Sequence, residues 1–192
     1  MHRLLEKLHK DHVNLEQVLD LLSSQLDHFY AGRESDFDLK IELMEYLEAY
    51  ADQGHHPLEN RIFNVAKETM GDKTELLDRL QSQHEALGQL TRQFRRSLEN
   101  ILQGGVMSRD ELEVEGREYI ALQRQHLDLE ESEVFPEVDR VMSDEQWRRV
   151  EEDMPSYDDP VFDAPDKIRF HNLFEYLSQA EAAEEADSRA DN

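Results

Sequence analysis

Apolar residues recur along this chain at alternating spacings of three and four, the period of a helix with one buried face. Four long segments carry the pattern. The first, about 2–30, places Leu5, Leu8, His12, Leu15, Leu19, Leu22 and Leu26 on one stripe. The second, about 36–70, does so with Leu43, Leu47, Ala51, His55, Leu58, Ile62 and Ala66. The third, about 73–103, aligns Leu77, Leu80, His84, Leu87, Thr91, Phe94, Leu98 and Ile101. The fourth, about 108–142, aligns Leu112, Tyr119, Leu122, His126, Leu129, Glu133, Val134, Val138 and Val141. Gly32, Gly71 and the pair Gly104-Gly105 follow the first three as natural helix stops. Short connections between long helices predict an all-α fold, an antiparallel up-down-up-down four-helix bundle.

Beyond the bundle, Ser143-Asp144-Glu145-Gln146 has capping-box spacing and predicts a short helix through Trp147 and Val150. A Pro/Asp-rich stretch follows from Pro155 to Pro165. A last helical segment is expected around 168–177, where Phe170, Leu173, Phe174 and Leu177 are spaced to pack. The reading divides the chain into a bundle at 1–142, a helical extension at 143–178 that covers one side of it, and an acidic tail at 179–192. The tail lacks an apolar stripe and is expected to be disordered.

One detail of the stripes changes the picture. In each, a histidine stands where a leucine would otherwise be, and the arrangement is duplicated. His12 is followed 43 residues later by His55, with Glu59 four positions on; His84 is followed 42 residues later by His126, with Glu130 four positions on. His12 lies 18 residues before the expected end of its helix and His55 lies 19 after the start of the next; His84 and His126 repeat this at 19 and 18. At about 1.5 Å of rise per residue, all four imidazoles reach one level of the bundle.

His-x-x-x-Glu puts both groups on one helix face. A neutral imidazole offers one nitrogen to a metal, and a carboxylate offers two oxygens that can bridge two ions. The spacing therefore predicts a two-metal centre held by His12, His55, Glu59, His84, His126 and Glu130, with four protein donors to each ion. Nitrogen and oxygen donors without sulfur suit iron, and less selectively manganese or zinc. A lone histidine on an apolar stripe is ordinarily a core or boundary residue. Four at one depth beside two buried carboxylates would leave many polar groups unpaired without a cation.

Composition narrows the partners. The 192 residues suit one domain with an extension, and a formal charge of −24 argues against nucleic acid or an anionic membrane. With no cysteine, disulfides and thiolate metal sites are excluded. The charged amphipathic start, Met1 to Lys7, does not read as a signal peptide, and no apolar run approaches membrane-spanning length. A soluble, cytoplasmic protein is expected.

The segments Asp11-His12, His55-His56-Pro57-Leu58-Glu59, Gln83-His84-Glu85 and His126 to Glu131 followed by Phe135-Pro136 resemble the hemerythrin-like, or HHE cation-binding, domain over about residues 1–142. The resemblance implies a non-haem di-iron site, oxo- or hydroxo-bridged, in a four-helix bundle, with Glu59 and Glu130 as bridging carboxylates. Residues 143–177 look like the extension of a bacterial subgroup of that family. One departure matters: where oxygen-carrying hemerythrins have a fifth histidine, one turn after the first ligand of the third helix, this chain has Gly88. That puts reversible dioxygen carriage in doubt. Gly88 reads either as space beside the metals or as close helix packing. Glu16, one turn after His12, is a possible extra donor or a surface residue.

Other residues read more weakly. His9 is a boundary residue or lies just behind His12. His56 should point about 100° away from His55 and is not expected to be a ligand. Pro57 suggests a kink beside the site. Tyr119 is a core residue or a hydrogen-bond donor to a bound ligand. His2, His28 and His171 lack any partner pattern.

Four functions remain open on the sequence. The first is a di-iron protein that binds, senses or handles dioxygen, peroxide or nitric oxide, or holds iron. The others are an iron donor for damaged iron–sulfur centres, an oxidative di-iron enzyme such as a ferroxidase or peroxidase, and a metal-free interaction bundle. No catalytic residue is singled out, and a metal-binding protein is favoured over a catalyst.

Overall fold

The computed structural model describes residues 1–33, 35–152, 154, 157–163 and 165–179, and every ordered element among them is helical. Helix α1 spans Arg3–Tyr30, α2 Phe37–Tyr46, α3 His56–Met70, α4 Thr74–Leu102, α5 Arg109–Leu129, α6 Phe135–Val141 and α7 Asp144–Glu151. The 168–177 expectation is met by a helical stretch at 171–179. The expected disordered tail lies, from residue 180 on, outside the described residues.

Local chemistry sets the ends. The Asp36 side chain accepts from the Leu39 N–H at the start of α2. Ser108 with Glu111, and Ser143 with Gln146, form reciprocal capping boxes on α5 and α7. Gly71 and Gly104, at φ 55 and 88, take the positive-φ turns that follow α3 and α4.

The second and fourth expected helices are not uniform. Between α2 and α3 the chain runs through π1 (Leu47–His55), and between α5 and α6 through π2 (Glu130–Val134). These are turns in which an amide bonds five residues back. The His56 N–H reaches the Ala51 carbonyl, and the Phe135 N–H reaches the Glu130 carbonyl. Each wide segment ends just before a proline, Pro57 or Pro136. A proline ring in an α-helix clashes with the carbonyl four residues back and lacks the N–H that would bond it. Widening the turn moves that carbonyl aside, so the expected kink at Pro57 is realised as a π turn.

The stripes pack as read, apart from positions after a wide turn. Glu133, expected on the inner face, is exposed, and Val134 takes the buried place. The extra residue in π2 shifts the face by one position. Two apolar clusters result. One gathers Leu4, Leu8, Leu58, Phe63, Leu77, Leu80 and Val138; the other gathers Leu15, Leu22, Leu43, Leu87, Phe94 and Leu112. Thus the start of α1, α3, the start of α4 and α6 share one core, while the rest of α1, α2, the rest of α4 and α5 share the other. The four stripe histidines lie between them.

Residues after 142 seal both clusters. Trp147 and Val150 of α7 join the first, and Val161, Phe170 and Leu173 join the second. Asp159, fully buried, accepts from the Tyr46 hydroxyl (2.8 Å) and from the Val161 and Phe162 amides, fixing that segment onto α2. No described helix is long and apolar enough to cross a membrane.

Candidate metal centre

Each stripe histidine is delivered from a different element. His12 comes from α1, His55 from the last position of π1, His84 from α4 and His126 from α5. Glu59 stands in the first turn of α3 and Glu130 opens π2. All six are buried, both carboxylates completely.

Their contacting atoms fall into two groups. In one, His12 Nε2 and His55 Nε2 lie 3.0 Å apart, and both approach Glu59 Oε1, at 3.3 and 3.2 Å; Glu130 Oε2 is 3.6 Å from His12 Nε2. In the other, Glu130 Oε1 lies 3.3 Å from both His84 Nε2 and His126 Nε2, and Glu59 Oε2 is 3.4 Å from His84 Nε2. Each carboxylate therefore gives one oxygen to either group.

The opposite ring nitrogens are all held. His12 Nδ1 faces Glu131 Oε1 at 2.7 Å and His55 Nδ1 faces Asp11 Oδ2 at 3.3 Å. His84 Nδ1 faces Asn60 Oδ1 at 2.9 Å and His126 Nδ1 faces Gln83 Oε1 at 3.1 Å. Every partner is an oxygen that can only accept, so Nδ1–H donates and Nε2 is the nitrogen turned toward the centre. These four orienting residues were not singled out from the sequence. Their signal is adjacency: Asp11 precedes His12, Gln83 precedes His84, Asn60 follows Glu59 and Glu131 follows Glu130.

His56 differs from its expectation. It is buried, its ring stacks on that of His84 with centroids 4.3 Å apart, and it falls in a potential ligand group with Glu59, His84 and His126. A second group is His12, His55 and Glu59. The physical reason is π1. A wide turn advances the chain by less than 100° per residue, so two consecutive histidines both face inward.

The remaining candidates fall away from the centre. Glu16 pairs with Arg124 at 3.3 Å, partly exposed, and does not join the ligand atoms. His9 contacts Glu131 Oε2 at 3.1 Å, behind His12. Tyr119 is a core residue whose hydroxyl meets Thr91 and Gln123. Gly88 is buried, and a Cβ there would meet Asp52 at 3.5 Å. Asp52 of π1 and Arg92 thus border Gly88 at ordinary contact distance. A cleft of about 830 Å3 runs outside α3 past Gln53, Pro57, Asn60 and Tyr157, and none of the ligand set lines it.

Electrostatics test the fit of a cation. Burial opposes a charge on His55, yet the Glu59 carboxylate and the hydrogen bonds to Asp11 and Glu59 hold its pKa up at about 9. Burial, with His56 adding to it, presses His126 down to about 3, and lowers His84 too. Burial and then the neighbouring Glu59 charge push Glu130 well above the usual carboxylate range. Glu59 stays below that range despite burial, because His55 and the other imidazoles surround it. Both oxygens of Glu59, Glu130 Oε2, His126 Nε2 and both nitrogens of His56 are buried without a hydrogen-bond partner. Such atoms are costly unless they ligate, so the donor set fits a metal.

Imidazoles and carboxylates gathered from four directions at the centre of an all-helical fold define a metal-binding helical protein. The Hemerythrin HHE cation binding domain matches residues 3–138, and the chain belongs to that family. No curated protein matches it, and no solved structure does.

Proposed function

We propose that this chain is a non-haem di-iron protein that binds, senses or handles dioxygen, peroxide or nitric oxide, or holds iron, in the cytoplasm. In this reading α1, the α2–α3 unit, α4 and the α5–α6 unit form an antiparallel up-down-up-down four-helix bundle over 1–142, with 143–178 as a covering extension. The observation that carries it is the split of Glu59 and Glu130. One oxygen of each faces the His12/His55 pair and the other faces the His84/His126 pair, so both carboxylates would help hold an ion at either pair. His56 would be a further donor on the His84/His126 side.

Iron in those positions would supply a redox-active Lewis-acid centre. What the chain itself contributes is orientation and exclusion. The Nδ1 contacts fix the imidazoles, and Phe135 stacks on His12 with centroids 5.2 Å apart, closing that side to water. His12 and His84 are only 4% and 5% exposed, which favours a diatomic or peroxide ligand over a larger substrate.

The test is anaerobic purification with metal quantitation, then absorption spectra before and after dioxygen, peroxide and nitric oxide. Two irons per chain and spectral changes with at least one of the three are expected. A protein with no affinity for iron would overturn the reading.

A further inference from the structure

The two halves of the ligand set match in donors but not in what stands behind them. Behind His12 and His55 are carboxylates, Glu131 and Asp11; behind His84 and His126 are amides, Asn60 and Gln83. The positions correspond by the internal repeat, so the difference is one of charge within a common geometry. Asp11 is clamped by Lys7 and, from outside the family-matched segment, by Tyr157. Tyr157 donates to its Oδ2 at 3.0 Å, Lys7 Nζ lies 3.3 Å from its Oδ1, and the Tyr157 ring packs against Gly54, where a Cβ would come within 2.9 Å of it.

A carboxylate accepting from Nδ1–H makes the imidazole a stronger donor through Nε2 than an amide does. Asp52, the carboxylate on the other side, faces His56 at 3.4 Å and neither His84 nor His126.

We propose that the two metal positions are unequal by construction: Asp11 and Glu131 act as positioning residues that make the His12/His55 position the tighter, last emptied, and the amide-backed His84/His126 position the exchangeable one. In this scheme the C-terminal extension reaches the tight position through Tyr157 and Asp11. The proposal rests on the two-iron reading above.

The experiment uses the full chain loaded anaerobically with ferrous iron and challenged with a ferrous chelator. Wild type should release its two ions in separate phases, and His126→Ala should lack the fast one. Asp11→Asn and Glu131→Gln keep the shape and remove the charge. Each should accelerate the slow phase about 10–100-fold, the usual effect of losing such a partner, and leave the fast phase unchanged. Tyr157→Phe should do the same more weakly. Gln83→Glu and Asn60→Asp, at partly exposed positions, should slow the fast phase, so the test does not depend on Asp11 variants folding. A single phase in wild type, equal acceleration of both ions in Asp11→Asn, or no slowing in the Gln83→Glu protein overturns the proposal. A wild-type chain that takes up no iron overturns the two-iron reading instead.

Discussion

Asp52 and His56 stand four residues apart across the end of π1, with Oδ1 and Nδ1 3.4 Å from one another and no aligned hydrogen bond from either. The internal repeat places Gln123 and Leu127 at the matching positions of the other half. His56→Leu therefore copies the chain's own alternative. It should weaken the His84/His126 position about tenfold or more, on the scale of losing a ligand contact, with the other position unaffected. Metal-free stability should hold or rise, because removing unpartnered buried polar atoms is neutral to favourable. Iron titration and urea unfolding of the same preparation check both halves of the statement.

Glu59 and Glu130 should behave unlike any histidine. Glu59→Ala removes an oxygen from each position at once, so both ions should be lost together. His126→Ala should remove one and keep the other. Metal analysis after desalting distinguishes the outcomes, and equal losses in the two variants would contradict the split of the carboxylate oxygens.

The histidine shifts give the metal-free protein a stability maximum near neutrality. His126, lowered to about 3 in the fold, contributes fully above the unfolded value of about 6.5 and loses that contribution as pH falls toward 3. His55, raised to about 9, contributes fully below about 6.5 and loses it as pH rises through 9. Urea midpoints should thus fall on both sides of about pH 6.5. Iron must displace the His55 proton, so its affinity should climb from pH 7 to 9, read by chelator competition.

Two helical glycines should respond oppositely to alanine. At Gly116 a Cβ would come within 2.7 Å of Leu26 and Phe94 in the core, while at Gly88 the nearest atoms are at 3.4 and 3.5 Å. Gly88→Ala should stabilise by up to about 1 kcal/mol, the helix-propensity gain. Gly116→Ala sets that gain against overpacking of about 1–3 kcal/mol and should come out destabilised. Thermal unfolding of the two variants side by side decides this.

The helical class, the stripes, the four stripe histidines and the two glutamates four positions after His55 and His126 were legible because each follows from a period or a spacing in the chain. Leu8, His12 and Leu15 declare their face by spacing alone. What escaped is whatever depends on a broken period. His56 and Glu133 were misplaced since an α-helical count runs on through Pro57 and Pro136, where the backbone widens by one residue. The orienting set Asp11, Asn60, Gln83 and Glu131 escaped for another reason. Each sits beside a ligand in sequence but serves a histidine on a neighbouring helix, and only packing reveals that crossing.

The wide turns also have a dynamic consequence. π1 and π2 interrupt the regular backbone ladder at the level where the two apolar clusters part, so the least regular hydrogen bonding of the long helices lies beside the ligand layer. Local opening draws on such places before it reaches well-packed ends. Metal would span both interruptions, through His55 and Glu59 on one and Glu130 on the other. Amide exchange at 47–55 and 130–134 should therefore slow on iron loading far more than exchange in α1 or α4, making these turns the molecule's gauge of occupancy.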